Sequence, residues 1–347
     1  MLRPAYVGSI VAASLVLGSV TAQQVITLIQ SGAHESAILP APAALHNAFD
    51  LEAGAWALLR VDQRGVDVAI TTYEPDKSKV NEFDSPNGAF GPEWVRLDAT
   101  SKGRYAIVTK AIDEGASEGS IDLRVVASGP GPTTPAAAMD TYLARYNTND
   151  SPGLAIRILR DGSPVYSKAF GMADLEHDIP ITTSSVFQVA SVSKQFTAFA
   201  LLLLERDGVL SVDDDVRKHL PELPDYHPTI TLRHLAQHTS GLRDIDDLLA
   251  LRGVGPNDEV THAEAVALLM RQTGLNFTPG TCFEYSNSGY MLLAEVVARV
   301  SGKPFSEFLD ERVFQPLGMN DTRVVDVPGT VITNKAYAYG LEGEGYV

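Results

Sequence analysis

The chain has 347 residues, 45% hydrophobic and 20% charged, an ordinary globular composition too long for one typical domain, so two domains are expected. Its 27 basic residues stand against 43 acidic ones, a net charge of −16 that repels phosphate backbones and anionic lipid. Nucleic acid and peripheral membrane binding are therefore disfavoured, and the excess acid is read as solvation.

Residues 1–22 read as a secretory signal peptide. Arg3 supplies a short positive start, Ala5 to Val20 is an uncharged and mostly apolar run, and Val20-Thr21-Ala22 offers small residues for cleavage before Gln23. The run is short for a spanning helix, so an exported protein, periplasmic or extracellular and without a stable membrane anchor, is expected. Cys282 is the only cysteine, which leaves no internal disulfide and assigns stability to core packing. The thiol itself is expected to be packed.

Residues 23–127 show short alternating segments and no helical pattern. Trp56 to Val61, Val66 to Ile70, Gly103 to Val108 and Ile121 to Val125 read as strands, with turns at Pro75-Asp76-Lys77 and Ser85-Pro86-Asn87-Gly88. A small β-sandwich is expected. The acidic residues Asp62, Asp67 and Asp76 do not match the spacing of a calcium loop, and no metal is assigned to them. On this pattern and its Gly-Arg-Tyr strand, the stretch resembles the pre-peptidase C-terminal type of sandwich found beside secreted bacterial enzymes.

Residues 128–137, rich in Pro and Gly, read as a linker. Beyond it, Leu154 to Leu159 and Pro164 to Phe170 flank Asp161-Gly162 as a hairpin. Helices are expected over Ser191 to Arg206, Ala263 to Arg271 and Tyr290 to Val300.

Ser191-Val192-Ser193-Lys194 opens the first of these helices. A serine hydroxyl needs a nearby base, and residues three apart on a helix share a face, so the Lys194 amine can reach the Ser191 oxygen. The positive helix start favours a developing anion, and the Ser191 backbone N–H can donate to it. Downstream, Tyr285-Ser286-Asn287 lies just before another helix. A tyrosine near an ammonium has its phenolate favoured, so it can take a proton from serine and return it to a leaving group. Asn287 can donate to substrate. Either motif alone is weak; the pair in this order is specific.

Phe187 to Ala198, containing Ser191-Val192-Ser193-Lys194, closely resembles the nucleophile segment of class C β-lactamases, family VIII esterases and D,D-peptidases. Leu235-Ala236-Gln237-His238-Thr239-Ser240-Gly241-Leu242 is similar to the same group's second block. Phe283 to Tyr290 is similar to its Tyr-x-Asn block, and Pro316-Leu317-Gly318-Met319 to its helix-ending stretch. The resemblance runs from about Ala138 to Val347. It implies that Ser191 forms the acyl-enzyme, Lys194 and Tyr285 move protons, Asn287 contacts substrate and His238 is scaffold.

One feature of that group is missing. No Lys-Thr-Gly or His-x-Gly follows Asn287 before Val347, so the strand that lines the site is not in this sequence and the domain is expected to be incomplete. There is no phosphate-binding glycine loop and no His or Cys cluster with metal spacing, so no cofactor is expected. The fold expected is multidomain: an N-terminal all-β sandwich plus an incomplete α/β domain of the β-lactamase/transpeptidase-like type over residues 138–347. The function expected is a secreted serine hydrolase acting on amides or esters (β-lactam, D-amino-acid peptide or small ester), with oligomeric state open. The alternative is a non-catalytic wall-associated or binding protein built on the same scaffold.

Overall fold

A computed structural model describes residues 25–27, 34–39, 44–86, 88–112, 119–255, 258–327, 329–342 and 345–347. The expected leader, residues 1–22, and Asn87 of the second expected turn lie outside the described residues. Among the described residues no helix is long and apolar enough to cross a membrane. Packing divides the chain into two compact units, one holding residues up to Thr183 with Ala338–Val347, the other Ser184–Tyr337.

Among the described residues the first unit begins with nine strands: β1 Val25–Thr27, β2 His34–Leu39, β3 Ala44–Leu51, β4 Trp56–Arg64, β5 Val68–Tyr73, β6 Lys79–Phe83, β7 Phe90–Asp98, β8 Gly103–Ala111 and β9 Gly119–Gly129. They form a five-stranded sheet in the order β1-β3-β8-β5-β6 and a four-stranded sheet in the order β2-β9-β4-β7. Successive strand residues point to opposite faces, so alternation in sequence becomes one buried face. In β8 the buried set includes Tyr105 and Ile107, in β9 Ile121, Leu123 and Val125, and these join Leu59, Val61 and Val95 in one core cluster. Thus both sheets share a core.

The four expected strands fall within β4, β5, β8 and β9, although Val66 and Asp67 precede the start of β5. The expected linker is shorter than its composition suggests. Ser128 and Gly129 still pair with Ala57 and Trp56 in the β9 ladder. Pro135 opens helix α1, Pro135–Leu143, where its missing N–H costs nothing, and Thr134 caps it by accepting from the Ala137 N–H. Only residues 130–134 remain as connection. The hairpin follows as β10 Leu154–Arg160 and β11 Ser163–Phe170, antiparallel, with Arg160 opposite Ser163. Its two turn residues, Asp161 at φ 51° and Gly162 at φ 77°, are both left-handed, as a two-residue type I′ turn requires.

The second unit is built on helices: α2 Lys194–Arg206, α3 Leu232–Ala236, α4 Ile245–Leu251, α5 His262–Leu269, α6 Asn287–Ser301 and α7 Phe305–Leu309. Helical spacing turns α6 into a buried stripe of Leu292, Leu293, Val296 and Val297, which shares a core with Ala200, Leu201 and Leu204 of α2 and Leu232 and Leu235 of α3. Gly289 lets α6 approach α3 closely, since a Cβ there would lie 2.9 Å from the Leu235 carbonyl oxygen. The expected helix from Ser191 to Arg206 is in two parts. Ala190–Ser193 form a 3₁₀ turn, and the α-helix begins only at Lys194. Ala190, at φ 44°, holds a left-handed conformation that an alanine rarely adopts.

Candidate active site

Three segments of the second unit meet at Ser191. The 3₁₀ turn carries Ser191 at its second position, and Lys194 follows as the first residue of α2, one turn on and on the same side. The segment 283–287 brings Tyr285 just ahead of α6 and Asn287 as its first residue. The stretch 238–246, between α3 and the start of α4, backs both.

Lys194 Nζ donates to Ser191 Oγ at 3.1 Å, and Ser191 Oγ shares a hydrogen bond of 2.6 Å with Tyr285 OH. Lys194 Nζ also donates to Asn287 Oδ1 at 2.7 Å. The Lys194 ammonium sits 4.8 Å from the Tyr285 ring centroid and 5.5 Å from that of Tyr290, so it is framed by two aromatic rings. All four residues singled out in the sequence, Ser191, Lys194, Tyr285 and Asn287, are therefore in one hydrogen-bonded group.

The electrostatics follow from that contact. Hydrogen bonding to Lys194 and then to Ser191 holds the Tyr285 phenol below its ordinary range, against opposing effects of burial and of Asp244. A charged lysine beside it favours the phenolate, which is the proton-accepting form.

Among the described residues, His238 makes no hydrogen bond to the Ser191 hydroxyl. Its Nδ1 accepts from the Ser286 backbone N–H at 3.1 Å, and its ring stacks 4.5 Å from Tyr285 and 5.3 Å from Tyr290. Burial first, then the nearby Lys194 charge, lower its pKa, which matches a ring whose Nδ1 must stay free to accept. Its place is behind Tyr285, holding the segment that carries it. Like Ala190, it adopts a left-handed backbone, at φ 56°.

Two acidic residues complete the group and were not singled out in the sequence. Asp244 caps α4, its Oδ1 accepting from the Asp246 N–H at 2.9 Å, while its Oδ2 accepts from the Asn287 backbone N–H. Asp246 Oδ2 accepts from Asn287 Nδ2 at 2.8 Å. The available signal was an Asp directly before Ile245 and the apolar pair Leu248-Leu249, the mark of a helix start, though it says nothing about a partner 43 positions away. Cys282 corrects the expectation of a packed thiol: it is exposed, because the segment before Tyr285 runs along the surface.

The profile of the family described as Beta-lactamase matches residues 136–344. A penicillin-binding protein of Bacillus subtilis (strain 168) is 36% identical over 192 residues, which is 54% of this chain and 42% of that protein. A D-aminopeptidase of Brucella anthropi is 34% identical over 205 residues, 58% of this chain and 38% of its own length. Among solved structures, the D-amino acid amidase from Ochrobactrum anthropi SV3 complexed with L-phenylalanine amide is similar at 31% identity and a TM-score of 0.50. The match covers 60% of this chain and 58% of that one. The chain spans about two fifths of the length of the two curated relatives.

Proposed function

This chain is a member of the β-lactamase family of serine hydrolases, and we propose that it cleaves amide bonds by way of an acyl-enzyme on Ser191. The observation that carries this reading is the convergence of two proton-handling groups on one hydroxyl: Lys194 Nζ at 3.1 Å and Tyr285 OH at 2.6 Å from Ser191 Oγ. Both lie within hydrogen-bond reach, which is the first requirement of a general base.

In the first half-reaction Ser191 Oγ attacks the carbonyl carbon and its proton passes to the Tyr285 phenolate. The carbonyl oxygen becomes an oxyanion, to which the Ser191 backbone N–H at the start of the helical segment donates. Collapse of that intermediate breaks the C–N bond, and Tyr285 returns the proton to the departing amine. Water then takes the place of the amine, gives a proton to Tyr285 and attacks the acyl carbon; the ester C–O bond breaks, Tyr285 returns the proton to Ser191 Oγ, and the acid departs. Lys194 keeps the phenolate accessible, and Asn287 holds Lys194 while contacting substrate.

Of the bonds open to this chemistry, an amide of a D-amino acid is the substrate class favoured by the relatives named D-aminopeptidase and D-amino acid amidase. Export rests on the apolar leader-like start of the sequence. The two N-terminal sheets, which share one core, are read as a β-sandwich domain without chemistry of its own.

Incubating the protein with a fluorescent phosphonate and mapping the adduct by mass spectrometry tests the assignment. Label on Ser191 that Ser191→Ala abolishes is expected, together with release of amine from a D-amino-acid anilide. Label on Ser193, or label that survives Ser191→Ala, defeats the assignment. A chain that takes no label at all returns the protein to the reading of a non-catalytic binding platform.

A further inference from the structure

Asn287 stands between two groups with opposite needs. Its amide oxygen accepts from the Lys194 amine at 2.7 Å, and its amide nitrogen donates to the Asp246 carboxylate at 2.8 Å. An asparagine amide can turn over with almost no change of shape, exchanging oxygen and nitrogen. Turned over, it would aim its N–H₂ at the lysine and its oxygen at a carboxylate. Both partners oppose that turn. An ammonium has only donors to offer, so it demands the oxygen. A carboxylate offers no donor and demands the nitrogen.

The contact with Asp246 is built in, although the side chain is exposed. Asp244 joins the two helix starts, since one oxygen of its carboxylate accepts from the Asp246 N–H and the other from the Asn287 N–H. Next to it, Ser288 Oγ donates to the Arg243 carbonyl at 2.7 Å. Residues 243, 244 and 246 thus each hold residue 287 or 288, and Asp246 cannot drift from Asn287 without breaking that frame.

We infer that Asp246 is a positioning residue, which fixes the Asn287 amide with its oxygen toward Lys194. The inference rests on the reading of Ser191, Lys194 and Tyr285 as the reacting group. It predicts a sense to the pair, donor on 287 and acceptor on 246, and that sense can be reversed.

The test compares the full chain with Asp246→Asn, Asn287→Asp and the double variant. Two readouts are taken: the rate of phosphonate labelling at Ser191 and the midpoint of urea unfolding. Asp246→Asn is expected to slow labelling about tenfold, equivalent to roughly 1.4 kcal/mol in barrier and on the scale of one hydrogen bond to a charged group. Asn287→Asp sets two carboxylates against each other and is expected to lower both rate and midpoint. In the double variant an amide at 246 donates to a carboxylate at 287, which still accepts from Lys194, so the labelling rate is expected to recover severalfold over Asn287→Asp alone and the midpoint to rise above it. A double variant no better than Asn287→Asp in either readout overturns the inference. Unlabelled wild type together with a recovered midpoint would overturn the hydrolase reading while the pairing stood.

Discussion

Ser191 Oγ and Tyr285 OH lie 2.6 Å apart across 94 positions of sequence, with the Lys194 amine 3.1 Å from the same oxygen. One hydroxyl therefore has a neighbour that can take its proton and an amine that donates to it, and those neighbours affect each other. The phenol is held low by the lysine, so the state of one depends on the presence of the other.

From that dependence, Tyr285 and Lys194 are expected to act as one unit. Tyr285→Phe and Lys194→Ala should each slow acylation by several kcal/mol in barrier, the order seen when a member of a catalytic triad is lost. The double variant should be little worse than either single one. Acylation rates with an activated ester for the four proteins close the cycle. Additive losses would mean separate tasks for the two residues.

The same coupling has a spectroscopic signature. An ordinary tyrosine ionises near pH 10. Because Lys194 stabilises the phenolate, the tyrosinate absorbance that Tyr285→Phe removes should rise with a midpoint below that value. In Lys194→Ala the midpoint should move up. A midpoint that stays put when the lysine is removed would assign the phenol's environment to other groups.

Much of the site was legible because its chemistry is local in sequence. Ser191 and Lys194 are three apart on a helical segment, and Tyr285 and Asn287 are two apart at the start of α6. Their meeting across the fold came from resemblance alone, since no periodicity links residue 191 to residue 285. Asp244 and Asp246 were invisible for the same reason: an Asp before an apolar helix is fully explained as a cap. Strands β5 and β9 were readable from clean alternation. By contrast, β3 carries Ala, His, Asn and Asp among its apolar residues, and β7 contains Gly91 and Pro92. Helices α3, α4 and α7 have five, seven and five residues, too short for a 3.6-residue period to emerge.

Gly289 offers a test of how the site is supported from below. In an open helix Gly→Ala would stabilise by about 1 kcal/mol. Here the new Cβ would meet the Leu235 oxygen at 2.9 Å and Leu235 Cα at 3.3 Å, both backbone atoms that cannot swing aside. Overpacking of this kind costs about 1–3 kcal/mol, so steric strain should win. Gly289→Ala is expected to lower the urea midpoint and to slow labelling of Ser191, because Asn287 lies two residues away. A midpoint raised by the substitution would show that α3 and α6 have room to part.

His238 should make the protein sensitive to mild acid. Burial and the Lys194 charge lower its pKa in the folded state, so the folded protein resists protonating it. Unfolded, the ring takes a proton near pH 6.5. A group whose pKa is depressed on folding contributes stability that is present above the unfolded value and lost as pH falls from there through the folded value. The window therefore opens near pH 6.5 and extends downward. It is separate from that of the paired carboxylates, such as Asp214, whose pKa of about 2 places its effect at far lower pH. Protonation would also remove the acceptor that Nδ1 offers to the Ser286 N–H, loosening the segment that carries Tyr285. His238→Gln keeps an oxygen able to accept that N–H but has no proton to gain. Urea midpoints taken at pH 7.5, about one unit above the unfolded value, and at pH 5.5, about one unit below it, are expected to fall for wild type and to stay nearly level for His238→Gln. Labelling of Ser191 should follow the same pattern after correction for Tyr285 ionisation. Parallel losses in the two proteins would show that the ring's protonation does not couple to folding, and His238 would then be no more than a filler beneath Tyr285.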